Sequence, residues 1–290
     1  MDIFTEKART LAINKSNAFC ELNSNKLPAK MTLFTDVLKR MDNDVHQKKK
    51  QWPSHQNFPD IKKPALNNCH GDWYEWLVAI AAINIHLAQN TKYLALLLPK
   101  VSTFDVAELY GSEILTIIND LKHKVKSSSS VEFITSNPDF VIIDTTNVDT
   151  TNFTLNFNTP ISVVDPTLIQ KIQGLYTHFV GKCALDDIVG YLGVKTSLRT
   201  DRRLQLAHEG SLMKAIYAHI QTRQWILEPN GLKYYAASTK VGPKDYAALK
   251  TIATHTLISV NTAPQSAVDE VYTIDSLKSA EEALSSILNS

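Results

Sequence analysis

The hydrophobic period of this chain switches repeatedly between the helical and the strand repeat from about residue 72 onward. Trp73, Trp76, Leu77, Ile80 and Ile83 share one face of a helix predicted over 72–89. A buried strand follows at 93–101, then a helix at 106–125 that closes on Lys122, Lys124 and Lys126, where cations suit the helix dipole. Strands are expected at 131–134 and 139–144, separated by a turn at 135–138. A Thr- and Asn-rich excursion occupies 145–162. Helices at 166–180 and 184–189 lead to a strand at 191–198 and a helix at 204–224. Strands near 232–238 and 254–260 and a helix at 275–288 complete the chain. Such alternation predicts an α/β or α+β architecture, a mixed sheet flanked by helices. Residues 1 to about 60 read as a polar, helical N-terminal subdomain, with Leu33, Phe34, Val37, Leu38 and Met41 at helical spacing before Lys48-Lys49-Lys50. Residues 61–290 carry the core, the whole being one domain. No internal repeat is found.

Composition narrows the function classes. Hydrophobic residues at 44% supply a core, so global disorder is excluded. Lys plus Arg is 30 and Asp plus Glu is 29, a net charge of +1. A whole-chain basic field is therefore absent, and any polyanion site must come from local clustering. The three cysteines, Cys20, Cys69 and Cys183, lie far apart with no CxxC, which argues against a zinc knuckle or disulfide scaffold. The start of the chain lacks the apolar run of a signal peptide, and the stretch from Trp76 to Ile83 is too short to span a bilayer. A soluble, cytoplasmic protein is expected.

Several familiar motifs fail. Gly190 to Thr196 resembles a phosphate loop, but Val194 stands where the glycine before the lysine is required. His208-Glu209 opens like a zinc-protease helix, yet Leu212 replaces the second histidine. Ser211 to Lys214 matches S-x-x-K, a pattern common by chance. No nucleophile elbow or dinucleotide fingerprint occurs.

One constellation survives. Asp139 follows Pro138 at the head of an apolar strand, on the face of Val141 and Ile143. Lys195 sits inside a strand, where burial without a partner is costly. Glu209 shares the apolar stripe of Met213, Ile216 and Ile220, so it points inward. Each has an ordinary alternative: Asp139 capping a turn, Lys195 snorkelling, Glu209 pairing with His208 or an arginine. Together they offer hard oxygen ligands for Mg²⁺ and an ammonium to orient water, the apparatus of phosphodiester hydrolysis. Beside Lys195 runs Arg199-Thr200-Asp201-Arg202-Arg203. It reads either as a solvated helix start or as a major-groove reader of G·C pairs, with Arg to guanine and Asp to cytosine.

At these residues the chain resembles the tetrameric type IIF restriction endonucleases of the CCGG family, in particular those cutting RCCGGY after the R. The strings that carry the resemblance are Gly71-Asp-Trp-Tyr-Glu-Trp76, Ile134-Thr-Ser-Asn-Pro-Asp139, Val194-Lys195-Thr196, Arg199 through Lys214 and Pro264 through Glu270. Residues 1–60 carry little of it. The resemblance implies an α/β, restriction-endonuclease-like PD-(D/E)XK fold. It implies Asp139, Lys195, Glu209 and Glu75 as catalytic residues, with Mg²⁺ on Asp139 and Glu209. The broader class carries an acid two residues before the lysine; here that place is Gly193, and Glu209 looks like the replacement. Arg199, Asp201 and Arg202 match the CCGG-reading motif, although Thr200 replaces a proline. Arg223 falls where relatives contact the outer purine, and Trp225 where they join dimers into a homotetramer. A cognate DNA methyltransferase, 5′-phosphate ends and four-base 5′ overhangs follow from the same resemblance. By residue type alone, Arg223 suits a helix C-terminus and Trp225 suits a core. Competing readings are a DNA-binding protein without catalysis and a nuclease of the same fold with another target.

Overall fold

The computed structural model describes residues 2–7, 10–53, 55–129, 133, 135, 137–257 and 263–290. The chain opens with a hairpin that the sequence pattern does not announce, β1 (Phe4–Lys7) paired antiparallel with β2 (Thr10–Ile13). Helices α1 (Lys15–Leu22) and α2 (Phe34–Gln51) follow. Lys49 is buried against Asp60, so the lysine run is partly structural rather than a solvated end.

The central helix, α3 (Lys63–Gln89), starts nine residues before the predicted 72. Pro64 presets its first turn, and Asn90 ends it in the left-handed region at φ 48°. From Trp73 to Ile83 every residue is buried, because α3 packs both on the sheet and on the C-terminal helix α9 (Leu277–Leu288). Its apolar face therefore widens into a fully enclosed cylinder.

The sheet has five strands in the order β3 (Tyr93–Leu97), β4 (Phe140–Asp144), β5 (Ile188–Lys195), β6 (Lys233–Ser238) and β7 (Glu270–Thr273). The first two pairings are antiparallel and the last two parallel, giving the mixed sheet expected. Phe140 lies opposite Leu192, so the start of β4 meets the carboxyl end of β5. That register brings a residue just before β4 to the last residues of β5, although 55 positions separate them in sequence.

Other elements depart from the sequence reading. The helix expected at 106–125 divides into a 3₁₀ turn at Val106–Leu109 and α4 (Ser112–Ser129). The strand expected at 131–134 falls largely outside the described residues. The excursion contains a short helix, α5 (Thr151–Asn156), and α6 (Pro166–Gly174) ends earlier than predicted. The helix expected at 184–189 is a 3₁₀ turn of Leu185–Asp187 running straight into β5. Of the strand expected near 254–260, residues 258–260 lie outside the described residues, and Thr254–Leu257 is a 3₁₀ turn, held where Ser211 Oγ accepts from the Thr254 amide at 3.0 Å. The last strand is β7, preceded by the short helix α8 (Pro243–Leu249).

Helix α7 (Thr200–Arg223) crosses from β5 to β6. Gly210 lets it press onto the loop before β7, since a Cβ there would stand 2.2 Å from the Ala267 carbonyl oxygen. Lys214, also on α7 and buried, donates to the Ser266 carbonyl at 2.7 Å and pairs with Asp269 at 2.7 Å. It thus has a structural partner rather than a catalytic serine. Gly210→Ala is expected to cost about 1–3 kcal/mol, as overpacking against rigid backbone does. A melting temperature equal to wild type would contradict this contact.

Candidate active site

The end of the sheet that carries Asp139 and Lys195 is built by register. Asp139, 6% exposed, turns Oδ2 toward β5, where it accepts from the Val194 amide at 2.7 Å and from Lys195 Nζ at 2.9 Å. Burying such a pair removes two charges from water, a cost that stability alone does not repay. Lys195 in turn lines a cleft of about 310 Å³ together with Glu75, Lys100, Thr196, Arg202, Asn67 and Asn68.

Glu209 is buried on α7, as the stripe of Met213, Ile216 and Ile220 requires. Its two oxygens accept from Gln205 Nε2 at 2.9 Å and from the Tyr234 hydroxyl at 2.7 Å. Burial, and then Glu209 beside it, push the Tyr234 hydroxyl well above its ordinary pKa, and the charge of Asp139 adds to this. Tyr234 is therefore a fixed donor linking the surroundings of both acids. The strand has no room for an acid at position 193. A Cβ at 193 would lie 2.3 Å from Leu206 Cδ2 and 2.8 Å from the Tyr234 oxygen. The volume that a side chain two residues before Lys195 would need is already taken.

Glu75 projects from α3 and is also buried. Burial first, and the nearby Asp139 charge second, push its carboxyl up to about 8, while Lys100 pulls it back down. Lys100 touches Glu75 and lies 3.2 Å from Asp72. The spacing of the sequence did not single out Lys100, Asp72 or Tyr234. Lys100 was accessible only through topology: it follows β3, and the Leu98 amide donates to the Asp139 carbonyl at 2.9 Å.

The structure thus gathers Glu75, Lys195 and Arg202 around one cleft, with Asp139 bonded to Lys195 and Glu209 joined to Tyr234. Arg199 caps α7, which begins at Thr200 rather than 204, so Asp201 and Arg202 occupy its first turn. Arg199 and Asp201 form an exposed pair at 3.1 Å, and Arg202 Nη1 lies 3.4 Å from Thr196 Oγ1. Arg223 and Trp225 are not part of this cleft. Arg223 stands at the far end of α7, 3.6 Å from Asp120. At 1.5 Å per residue it is about 30 Å along the axis from Arg202. Trp225 is 85% exposed, with Leu227 exposed beside it, and not in the core that its residue type suggests. Its φ of 56° is one that a bulky residue seldom adopts.

A mixed sheet that joins an aspartate at the head of one strand to a lysine at the end of its neighbour is the arrangement that the resemblance to restriction endonucleases implies. Comparison with known proteins gives the family: the Cfr10I/Bse634I restriction endonuclease family model matches residues 2–290, and the chain belongs to that family. It is 44% identical over 230 residues to the type II restriction enzyme Cfr10I of Citrobacter freundii, covering 79% of this chain and 80% of that protein. The crystal structure of the type IIF restriction endonuclease Bse634I with cognate DNA superposes with a TM-score of 0.88 at 30% identity, covering 99% of this chain and 98% of that one. A second Bse634I structure gives a TM-score of 0.87 at 30% identity, covering 99% and 97%. The chain is accordingly a type II restriction enzyme, a site-specific deoxyribonuclease. Among the described residues no helix is long and apolar enough to cross a membrane.

Proposed function

We propose that this enzyme cleaves double-stranded DNA at RCCGGY after the R, leaving 5′-phosphates and four-base 5′ overhangs. The target sequence rests on the family resemblance, and the observation that carries DNA cleavage is the shared wall of one cleft: Lys195, bonded to Asp139, lines it together with Arg202. Chemistry on a phosphate and reading of a base edge are then a few residues apart. The Bse634I complex with cognate DNA supports a duplex as the ligand.

The donor chemistry fits Mg²⁺. Asp139 and Glu209 present hard carboxylate oxygens, and among the described residues no three acid, histidine or cysteine side chains converge on a metal-binding cluster. Mg²⁺ suits such a sparse set, since it keeps several waters and uses one or two carboxylates plus substrate phosphates. When bound it supplies Lewis acidity at the scissile phosphate. The chain's own residues do the rest. The Val194 amide fixes Asp139, Asp139 fixes the Lys195 ammonium, and Lys195 orients the attacking water. The Tyr234 hydroxyl and Gln205 hold the Glu209 carboxylate. Glu75 assists from α3, where Lys100 contacts its carboxyl.

Base reading falls to Arg199, Asp201 and Arg202 at the start of α7. Bases two steps apart are separated by far less than the 30 Å or so between Arg202 and Arg223, so reading of the outer purine by Arg223 requires a second copy of the chain. One catalytic domain with a helical N-terminal subdomain, a homotetramer in the cytoplasm and a cognate DNA methyltransferase complete the reading. The test is to incubate a plasmid bearing RCCGGY sites with the enzyme and Mg²⁺ and to sequence the ends. Cuts elsewhere, or none without a mutation in the cleft, would overturn it.

Trp225 supplies the proposed joint between dimers. An exposed aromatic held in left-handed backbone combines exposed apolar surface with a backbone cost of about 1–2 kcal/mol. A packed partner would repay both. Trp225→Gly removes the anchor and relieves the backbone, so the expected result is a folded dimer at least as stable per protomer as the parent. Sedimentation showing an unchanged tetramer would contradict the role.

A further inference from the structure

We propose that Lys100 is a positioning residue of the active site. Its ammonium holds the Glu75 side chain against the cleft, and the Lys15–Asp72 link behind it makes the N-terminal helix α1 part of that support. The inference rests on the proposed catalytic reading of Glu75 and Asp139.

The observations form a chain of alternating charge that ends at the cleft. Lys15, the first residue of α1, contacts Asp72 on α3, and Asp72 lies 3.2 Å from Lys100 Nζ. Lys100 contacts Glu75, one turn beyond Asp72 on the same helix. Glu75 is 6% exposed at its side chain, whereas Lys100 is 47% exposed, so the acid is enclosed and the cation bridges it to solvent. Lys15 is anchored twice, because its carbonyl also accepts from Trp73 Nε1 at 3.0 Å. Asp42 on α2 meets His70 Nε2 at 2.7 Å, so both N-terminal helices grip the stretch of α3 that carries Glu75.

The direction of the support follows from what surrounds Glu75. Asp139 repels it, burial disfavours its charge, and Lys100 is the strongest attraction opposing both. Without Lys100 the Glu75 carboxyl has lost its principal reason to face the cleft. Asp72 then pairs with Lys15 alone. Residues 1–60, which the family model covers from residue 2 on, acquire a role through this chain: Lys15 fixes the carboxylate that fixes Lys100.

The experiment is a double-mutant cycle on the full-length enzyme, using Lys100→Met, Glu75→Gln and their combination, with Lys100→Arg and Lys15→Met alongside. Single-turnover cleavage of an RCCGGY duplex with Mg²⁺ is measured beside duplex affinity with Mg²⁺ omitted. Lys100→Met is expected to slow cleavage about 10- to 100-fold, the scale on which misplaced reacting groups lose rate. Affinity should stay within about twofold, since base and phosphate contacts are untouched. Lys100→Arg should recover most of the rate. The double variant should be no slower than Glu75→Gln, because the two act as one unit. Lys15→Met should cost several-fold, and nothing in the Lys100→Met background. Additive losses, unchanged cleavage, or weaker binding at an unchanged rate would overturn the inference; the last would mark Lys100 as a phosphate contact instead. The wild-type control reads the proposed function separately. If wild type cuts a different sequence, the cycle is read on that sequence, and if it cuts no DNA, both readings fall.

Discussion

Lys195→Met should abolish cleavage, by at least about 10³-fold, while leaving duplex affinity within a few-fold. The ammonium is 2.9 Å from Asp139 Oδ2 and its side chain is 18% exposed, so it is held before substrate arrives. A fixed donor aimed at developing charge is worth about 10²–10³ in rate, and on the proposed reading Lys195 also orients the nucleophile. Methionine keeps the stem and removes only the charge. Asp139 keeps its Val194 amide donor at 2.7 Å, which limits the damage to folding. Asp139→Asn retains an acceptor for that amide and loses the charge proposed to bind the metal, so it should fail in the same assay. Glu209→Gln should do likewise. Single-turnover cleavage and melting curves on all three decide the matter. Near-normal cleavage by any of them would remove that residue from the site, and loss of the melting transition would place the defect in folding.

How far the sequence anticipates this site depends on how local each signal is. Glu209 was legible because its neighbours Met213, Ile216 and Ile220 lie on the same stripe of one helix, and all are buried with it. Asp139 stood out as a charge at the head of an apolar strand and Lys195 as one inside a strand, although the structure makes Lys195 the last residue of β5. Their meeting needed the antiparallel register of β4 on β5, which no local pattern prints. Lys100 and Tyr234 were missed for the same reason. One acts through the adjacency of β3 and β4, the other through the space left at Gly193. Element errors follow length. The strands of the opening hairpin and β7 have four residues each, too few to show a period. The Thr254–Leu257 segment carries two β-branched threonines, yet a serine from α7 captures its amide and turns it. Asn67, Asn68 and Gly71 dilute the first turns of α3, while the proline at its N-terminus and the packing of α1 and α2 hold them helical. Trp225 shows the limit of residue type: its apolar ring predicts a core, and its position past the end of α7 leaves it exposed.

Arg202→Ala should collapse recognition of the central G·C pairs while sparing the fold. Arg202 is half-buried at the start of α7 and lines the same cleft as Lys195. Its recorded contact, Thr196 Oγ1 at 3.4 Å, is long and neutral. That leaves the guanidinium fork available to guanine O6 and N7, a contact worth about 1–3 kcal/mol of discrimination. A palindrome is read by two protomers, so the loss doubles to about 2–6 kcal/mol, or roughly 30- to 10⁴-fold in preference. Arg203, the next residue, provides the internal control. It is committed to Asp245 at 2.7 Å and ties α7 to α8, so Arg203→Ala should lower stability and leave base preference alone. Binding of both variants to RCCGGY and to a duplex with the central CG inverted separates the two roles. Unchanged preference in Arg202→Ala would move the readout to other side chains. A lost preference in Arg203→Ala would show instead that the seating of α7, rather than one guanidinium, sets the specificity.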